Sequence, residues 1–386
     1  MNTNKFSFTI NQLFVWFAFL LFQSSGVRLA AQIPKLNNAF YYSSGIVIDS
    51  KGNAFVTGKN NKIIKITPDG KAIFFAGSPS GFTGTKDGIG KDARFYNTDG
   101  IAIDADDNLY VSDNTRIRKI TPDGMVITIA GLLKAESKDG VRATASFLRL
   151  ENITIDNKGN IYVTDYDPGK DWTPGRVTNS SYYLIRKISP QGIVTTLQNG
   201  NVGPLILQYP RGLVCDKDGN LYISALSSHC IKKISPGGVI TTVAGQCDKT
   251  ILNSVYKEGS ISTAVLTSPS GIAIAENGDI YFSDERLHRI IKIANNKVTT
   301  VAGCGKISFI GNPAGAAEPG ETDGKALQAL FNLPMGIAFD KSGNLYIVDG
   351  SGRNNSYIRK LSTDGTVSTF CKHIWNDKTQ QYEEAD

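Results

Sequence analysis

The chain has 386 residues, enough for one large domain or two ordinary ones. Hydrophobic residues make up 41% of it, which excludes a largely disordered chain and a multi-span membrane protein. The formal charge of +6 is too small to indicate nucleic-acid binding, and five cysteines are too few for a disulfide scaffold. Glycine accounts for 39 of the 386 residues, an excess that favours β-structure with many tight turns.

The N-terminal segment has the layout of a secretory signal. Lys5 precedes the apolar residues 13–22, and small and polar residues follow at 23–26. Ten apolar residues would form a helix of about 15 Å, half of the ~30 Å hydrocarbon core, so a transmembrane anchor is the weaker interpretation. We therefore predict a signal peptide at residues 1–31 and export to the periplasm, the cell surface or the extracellular space.

The remainder of the chain repeats one unit six times. In the clearest copy, Gly100-Ile-Ala-Ile-Asp is followed by Asn108-Leu-Tyr-Val-Ser-Asp, Arg116-Ile-Arg-Lys-Ile and Thr121-Pro-Asp-Gly. Each copy holds four runs rich in Ile, Val, Tyr and Thr, joined by short glycine-containing turns that suit antiparallel hairpins. Such a repeat predicts an all-β, six-bladed β-propeller of four-stranded antiparallel blades. The copies begin at Gly45, Gly100, Asn152, Gly212, Gly271 and Gly336.

These copies resemble the NHL-repeat family in its secreted, glycine-rich form, through their Ala-Gly, Asp-Gly and Ile-Arg-Lys-Ile motifs. The resemblance implies a six-bladed propeller over residues 32–371, followed by a polar C-terminal tail at 372–386. Two copies depart from the pattern, because Asn152 replaces the leading glycine of the third and Ala275 replaces an aspartate of the fifth. We expect a monomer.

Most of the repeated residues are predicted to be structural. One aromatic position in the second strand should pack between blades, the aspartates that end this strand should accept hydrogen bonds from turn amides, and the Asp-Gly pairs should cap loops. An apolar residue five positions before each strand start should anchor the preceding loop. The basic third strands distribute charge around the ring, whereas an RNA site would concentrate it on one face, so no nucleic acid is expected. The aromatic series is Phe55, Tyr110, Tyr162, Tyr222, Tyr281 and Tyr346.

Catalytic constellations are missing from the sequence. His229 and His288 occupy equivalent positions before the third strands of two copies, and His373 lies in the tail. Related propellers that cleave peptidyl-hydroxyglycine use a central zinc held by several histidines, which three scattered ones cannot supply. We therefore predict no catalytic residue, no metal site and no cofactor.

The cysteines allow one bridge between blades. Cys247 and Cys304 follow the Ala-Gly endings of consecutive copies, but a disulfide requires Cα atoms within ~7 Å, and the outer strands of adjacent blades are the most widely separated ones. Whether they bond is left open. Cys215 and Cys230 are predicted to stay free.

Topology places a candidate ligand site on one face of the ring. The blade-to-blade connections, which are long and irregular, share a face with the residues that precede the first strands. Three consecutive copies bring Asp99, Glu151 and Arg211 to the mouth of the central channel. The insertion at 166–183 adds aromatic and basic side chains beside them. Its candidate binding residues are Tyr166, Trp172, Arg176 and Tyr182.

Two functions remain in competition. The favoured one is a non-enzymatic binding module that recognises a protein or carbohydrate on this face. The alternative is a divalent-metal hydrolase like regucalcin or gluconolactonase, in which Asp99 and Glu151 would hold the ion. That class also uses asparagine ligands, for which only Asn152 is available, and a third carboxylate is missing.

Overall fold

The computed structural model describes residues 45–58, 61–132, 136–168, 182–200, 203–247, 256–304, 319–350, 355–376 and 381–384. These residues form strands and one single-turn 3-10 helix, Gly90–Asp92. The predicted signal peptide lies outside the described residues. Across the described ranges, no helix has the length and apolar character needed to cross a membrane.

The strands form six antiparallel sheets, one for each predicted repeat. Blade 1 contains β1 (Ile46–Ile48), β2 (Ala54–Gly58), β3 (Lys62–Ile66) and β4 (Ala72–Gly77). Blade 2 contains β5 (Gly88–Ile89), β6 (Thr98–Ile103), β7 (Leu109–Asp113), β8 (Arg116–Ile120) and β9 (Met125–Ala130). Blade 3 contains β10 (Gly140–Val141), β11 (Leu150–Ile155), β12 (Ile161–Asp167), β13 (Tyr182–Ile188), β14 (Ile193–Thr196) and β15 (Ile206–Leu207).

The second half of the ring follows the same plan. Blade 4 contains β16 (Pro210–Cys215), β17 (Leu221–Ala225), β18 (Cys230–Ile234) and β19 (Ile240–Gly245). Blade 5 contains β20 (Gly259–Ser260), β21 (Pro269–Ile274), β22 (Ile280–Asp284), β23 (Arg289–Ala294) and β24 (Lys297–Ala302). Blade 6 contains β25 (Gly324–Lys325), β26 (Ile337–Phe339), β27 (Leu345–Asp349), β28 (Asn355–Leu361), β29 (Thr366–Asn376) and β30 (Gln381–Glu384).

The six blades close into a ring, which confirms the predicted architecture. The first strands β1, β6, β11, β16, β21 and β26 contact one another in this order around the axis, and β26 contacts β1. An apolar cluster that includes Ile46, Ile64, Tyr346 and Ile358 joins the first and last blades. We call the face with the blade-to-blade connections the connection face, and the face with the short hairpin turns the turn face.

Close backbone approach at the axis explains the repeated leading glycine. A Cβ atom on Gly100, Gly212 or Gly271 would lie only 2.6, 2.6 or 2.1 Å from a carbonyl oxygen of the next blade. Serine or threonine hydroxyls of the second strands bridge the same gap. Thr57 Oγ1 donates to the carbonyl oxygen of Asp99 at 2.8 Å, and Ser283 Oγ donates to that of Met335 at 2.6 Å. Adjacent blades are therefore joined by hydrogen bonds that only a side chain as small as glycine permits.

Three blades contain a buried arginine between two aspartates, and this corrects the expectation that the basic third strands simply spread charge around the ring. Arg118 has no exposed side-chain surface, and it donates to Asp113 Oδ2 at 2.7 Å and to Asp87 Oδ1 at 2.8 Å. Asp113 Oδ1 also accepts the amides of Tyr96 and Asn97, as predicted for this aspartate. Arg186 and Arg359 repeat the arrangement in blades 3 and 6.

Other structural predictions are confirmed within the described residues. The repeated aromatic residues of the second strands lie in clusters shared by neighbouring blades, as Tyr110 does with Ile153 of blade 3. The predicted loop anchors, Phe95, Phe147, Leu207, Leu266 and Phe331, are all buried. Phe40 lies outside the described residues.

Two histidines contact the connection to the following blade. His288 Nδ1 accepts the amide of Leu333 at 2.9 Å, and burial lowers the pKa of His288. His229 Nδ1 contacts the carbonyl oxygen of Thr267. Both histidines therefore hold the following blade-to-blade connection.

One prediction about the cysteines was wrong. Cys230 is not free, because it forms a disulfide with Cys247 at a Cα–Cα distance of 5.3 Å, while Cys215 and Cys304 are free thiols. The reason is register: Cys230 on β18 pairs with Gly245 at the end of β19, two residues before Cys247. At the C-terminal end, β29 continues to Asn376 and pairs with β30.

Substituting Gly271 tests the close approach at the axis. We expect Gly271→Ala to lower the free energy of unfolding by about 1–3 kcal/mol or more, because the new methyl group would overlap the carbonyl oxygen of Met335. Gly237→Ala is the matched control, since its Cβ would lie 3.8 Å from the nearest atom, and it should change stability by about 0.5 kcal/mol at most. Urea denaturation followed by circular dichroism measures both, and equal stability would contradict the packing argument.

Candidate functional site

Three successive layers of residues line the central channel. The mouth carries polar side chains, the next layer is formed by the leading glycines and Asn152, and a ring of aliphatic residues narrows the channel below them. The cavity has a volume of about 80 Å³. The aliphatic ring consists of Ile46, Ile101, Ile153, Leu213, Ile272 and Ile337. A small polar group could therefore enter the mouth, but an extended molecule would have to bind across it.

Glu151 is the most unusual residue at the mouth. It is 95% buried, and its Oε1 atom has no hydrogen-bond partner among the described residues. Burial raises the pKa of Glu151, while the positive charges of Arg149 and Arg211 and a hydrogen bond with the Tyr183 side chain oppose that shift. Arg149 Nη2 lies 3.6 Å from Oε1. The positive charges of the two arginines therefore hold the Glu151 carboxylate, and its Oε1 atom can still accept a hydrogen bond.

Arg211 joins Glu151 to a carboxylate on the other side of the mouth. Arg211 Nη2 lies 3.8 Å from Oε1 of Glu285, and Ser270 Oγ donates to the same oxygen at 2.8 Å. The Arg211 and Glu285 side chains are 19% and 17% exposed, so solvent or a ligand can reach both. Since Arg211 also stabilises the charged form of Glu151, it links blades 3 and 5 electrostatically.

Asp99 and Asn152 complete the polar residues of the mouth. Asp99 is 5% exposed, and its Oδ2 accepts a hydrogen bond from Asn97 Nδ2 at 2.9 Å. The Asn152 side chain donates to the carbonyl oxygen of Pro210 at 3.0 Å, so it joins blade 3 to blade 4. Among the residues that the structure describes, no group of three His, Cys, Asp or Glu side chains is close enough to hold a metal ion.

The aromatic part of the predicted site needs correction. Tyr166 does not offer an exposed ring, because it is buried against Tyr183 at a centroid distance of 4.9 Å and lies under the Arg149 guanidinium at 5.9 Å. Tyr182 is partly exposed, and its hydroxyl donates to Asp167 Oδ2 at 2.9 Å. Trp172 and Arg176 lie outside the described residues. The insertion therefore begins as part of the blade core, which its aromatic composition had not indicated.

Sequence reasoning missed three residues of this site. Arg149 and Tyr183 flank Glu151, and Glu285 contacts Arg211 and Ser270. Arg149 directly precedes β11 and lies two positions before Glu151, so its nearness in sequence was the signal that could have indicated it. Glu285 directly follows the aspartate that ends β22, and its position over the mouth depends on the path of that turn.

The buried charge of Glu151 should make stability depend on pH. A carboxyl group whose pKa is raised in the folded state binds its proton more tightly there, so the folded state loses stability as pH rises through the ordinary glutamate range. We expect Glu151→Gln, which removes the buried charge, to melt about 2 °C or more above the wild type at pH 8, with the difference shrinking towards pH 4.

Differential scanning calorimetry between pH 4 and 8 provides the measurement. Glu276→Gln, on an exposed residue of the blade 5 turn, is the control and should melt at the wild-type temperature throughout. A Glu151→Gln variant that is less stable at pH 8 than at pH 4, relative to the wild type, would show that the ion pairs outweigh the burial of the charge.

No family model matches this chain. Protein SUPPRESSOR OF QUENCHING 1, chloroplastic, from Arabidopsis thaliana is 27% identical over 297 residues, which cover 73% of this chain and 26% of that protein. Teneurin-3 from Mus musculus is 25% identical over 283 residues, which cover 69% of this chain and 10% of that protein. The chain thus spans about a quarter or less of the length of these curated relatives.

Solved structures share the propeller. An auxiliary nutrient binding protein from Bacteroides ovatus has a TM-score of 0.57 at 18% identity, covering 83% of this chain and 69% of that one. A gluconolactonase from Xanthomonas campestris has a TM-score of 0.51 at 15% identity, covering 81% of this chain and 84% of that one. At these identities the similarity shows the fold alone: this chain is a six-bladed β-propeller.

Proposed function

We propose that this protein is an exported NHL-repeat propeller that acts as a non-enzymatic binding module, with a protein or carbohydrate ligand on the connection face. The observation that carries the proposal is the polar channel mouth, where Glu151 is buried with one oxygen left without a hydrogen bond. Holding a carboxylate in this state costs stability. Recognition of a ligand that supplies the missing donor explains why such a group is useful there.

The chemistry of the mouth favours a ligand with both donors and acceptors. Arg211 can donate two parallel hydrogen bonds to a carboxylate or to neighbouring hydroxyl groups. Glu285 and Ser270, in the adjacent blade 5, can accept and donate hydrogen bonds. Sugar hydroxyls and the polar side chains of a protein loop have this mixed character.

The insertion in blade 3 supplies the second half of the proposed site. It leaves the blade next to Tyr166 and Tyr182, and Tyr166 lies against Arg149 beside Glu151. We propose that Trp172 and Arg176 add contacts to a ligand bound at the mouth, since a flat aromatic side chain suits a sugar ring or an apolar side chain. The Bacteroides ovatus structure, a nutrient binding protein by name, has a propeller of this kind and is consistent with a binding role.

Loop replacement tests this proposal. Glycan and extracellular-protein arrays probed with the chain from residue 32 should identify a ligand. Replacing residues 168–180 with a short Gly-Ser link, or Arg211 with Ala, should then weaken its binding at least tenfold. Lys217→Ala, on the exposed turn of blade 4 at the turn face, is the matched control and should bind within twofold of the wild type.

Each part of the proposal can fail separately. Arrays without any saturable binder would contradict a binding function of this class. A trimmed protein with full affinity would locate the site elsewhere on the ring. Because the link removes none of the described blade strands, its melting temperature should stay close to that of the wild type, and calorimetry checks this.

The alternative function is a divalent-metal lactonase, favoured by the shared propeller of the Xanthomonas campestris gluconolactonase. Electrostatics argue against this alternative, because a cation bound at Glu151 would be repelled by the positive charges of Arg149 and Arg211. We expect purified protein to carry far less than one equivalent of tightly bound metal, and to leave gluconolactone intact. One equivalent of metal by mass spectrometry, lost together with lactonase activity in Asp99→Asn, would establish the alternative.

A further inference from the structure

At the outer rim of the ring, four blades have an additional short strand that pairs with the outermost main strand. Among the residues that the structure describes, blade 4 lacks this short strand. In blades 2, 3, 5 and 6, a two-residue strand from the preceding connection pairs with the outermost main strand. The register is constant: a glycine faces a valine in each case. The pairs are Gly88 with Val126, Gly140 with Val194, Gly259 with Val298, and Gly324 with Val367.

Two further contacts fix each of these short strands. The acidic residue before the glycine accepts the amide of a threonine on the outermost main strand, as Asp87 Oδ2 does from Thr128 at 3.0 Å. The residue two positions after the glycine donates its amide to the last hairpin turn, as Gly90 does to the carbonyl oxygen of Gly124 at 2.9 Å. The other three blades make both contacts, at 2.9–3.0 Å for the threonine amide and 2.7–3.0 Å for the turn carbonyl.

Blade 4 keeps the outermost main strand β19 with which a short strand could pair, but its described residues lack the short strand itself. Its connection pairs with the preceding blade instead, through β15 and Leu207 opposite Tyr183 on β13. Within the described ranges, β19 consequently pairs only with β18. By register, Ile240 takes the place of the four valines and Thr242 that of the four threonines. Val239, at the entrance of this strand, is 63% exposed.

A cleft of about 310 Å³ lies beside this open edge, between blades 3 and 4. Apolar side chains form part of its wall, and the hairpin turn of residues 235–238 forms another part. In blade 3, Arg142 covers the equivalent turn, because its amide donates to the carbonyl oxygen of Gly192 at 2.7 Å. The cleft therefore adjoins the turn that the missing strand would cover. Its apolar lining residues include Tyr162, Leu197, Leu221 and Ile234.

We propose that β19 and this cleft bind an extended segment of a partner protein that contains an acidic residue followed by glycine. The segment would add as an antiparallel strand, with the acidic side chain accepting the Thr242 amide and the following residues lying over the turn at Gly238. The occupant is inferred from the four equivalent edges, each of which is paired with a segment that contains an acidic residue followed by glycine. Lys232, at the position of Arg118, gives this edge the charge that suits an acidic segment.

Blade 1 provides an internal comparison. Its outermost strand β4 also lacks a fifth strand among the described residues, but Phe74 and Ile64 stand where blades 2, 3 and 6 have the threonine and the arginine. An acidic residue would find neither a hydroxyl group nor a positive charge there. The proposed segment should therefore select blade 4. This site lies on the outer rim and is independent of the ligand site at the channel mouth.

A peptide from the protein itself supplies the probe. The fluorescein-labelled peptide Gly-Thr-Lys-Asp-Gly-Ile-Gly-Lys copies residues 84–91, which form the short strand of blade 2. We expect saturable binding to the full chain by fluorescence polarisation, and at least fivefold weaker binding of the same peptide with asparagine in place of aspartate. The absence of saturable binding at millimolar protein would overturn the proposal.

Variants of the receiving edge locate the peptide. Thr242→Pro removes the outward amide and should weaken binding at least tenfold, whereas Thr242→Val keeps that amide and should bind within threefold. Gly237→Trp fills the cleft without touching the β18–β19 ladder and should also weaken binding at least tenfold, so a folding defect in the proline variant does not decide the result. Equal affinity of all variants, or a photo-crosslink of the peptide to β4, would overturn the assignment. Removal of residues 168–180 should leave peptide binding unchanged.

Discussion

The separation of the six first strands at the axis sets the geometry of the whole molecule. At Gly100, Gly212 and Gly271 the next blade approaches so closely that a single methyl group would overlap its backbone. Hydroxyl groups of the second strands hydrogen-bond across four of the gaps, and the Asn152 side chain bridges the gap between blades 3 and 4. Because these blades are positioned by their neighbours in this way, the spacing of the mouth residues follows from the close packing of the first strands.

This crowding also determines which side chains can take part in a site. The glycines contribute no side chains and the layer beneath them is aliphatic, so the polar groups that line the cavity come from the residues just before the glycines, from Asn152 and from Glu285. They are held close together in a poorly hydrated environment, which raises the pKa of Glu151 despite two nearby guanidinium groups. Interactions between charged groups are therefore strong at this position, because the axis below it is tightly packed.

Towards the outer rim, buried ion pairs rather than close backbone contacts hold the connections against the blades. Arg118, Arg186 and Arg359 each connect the end of a second strand to the Asp-Gly segment of the preceding connection. These segments cover the outermost strands and protect edges that could otherwise pair with other chains. Blade 4 lacks both aspartates of the arrangement, since Ala225 ends its second strand and its connection turns back onto blade 3. The open edge at β19 is a direct consequence.

The sequence by itself determined the propeller, the number of blades and the limits of each repeat, because strand composition, turn residues and the leading glycine recur at a regular interval. It also placed Glu151 near Arg211, since equivalent positions of adjacent repeats must be neighbours. Only the tertiary structure decided that Tyr166 is buried, that Glu285 reaches Arg211 and that Cys230 bonds Cys247. These outcomes depend on the path of irregular connections and on strand register, which are set by contacts between residues far apart in the chain and leave no periodic signal in it.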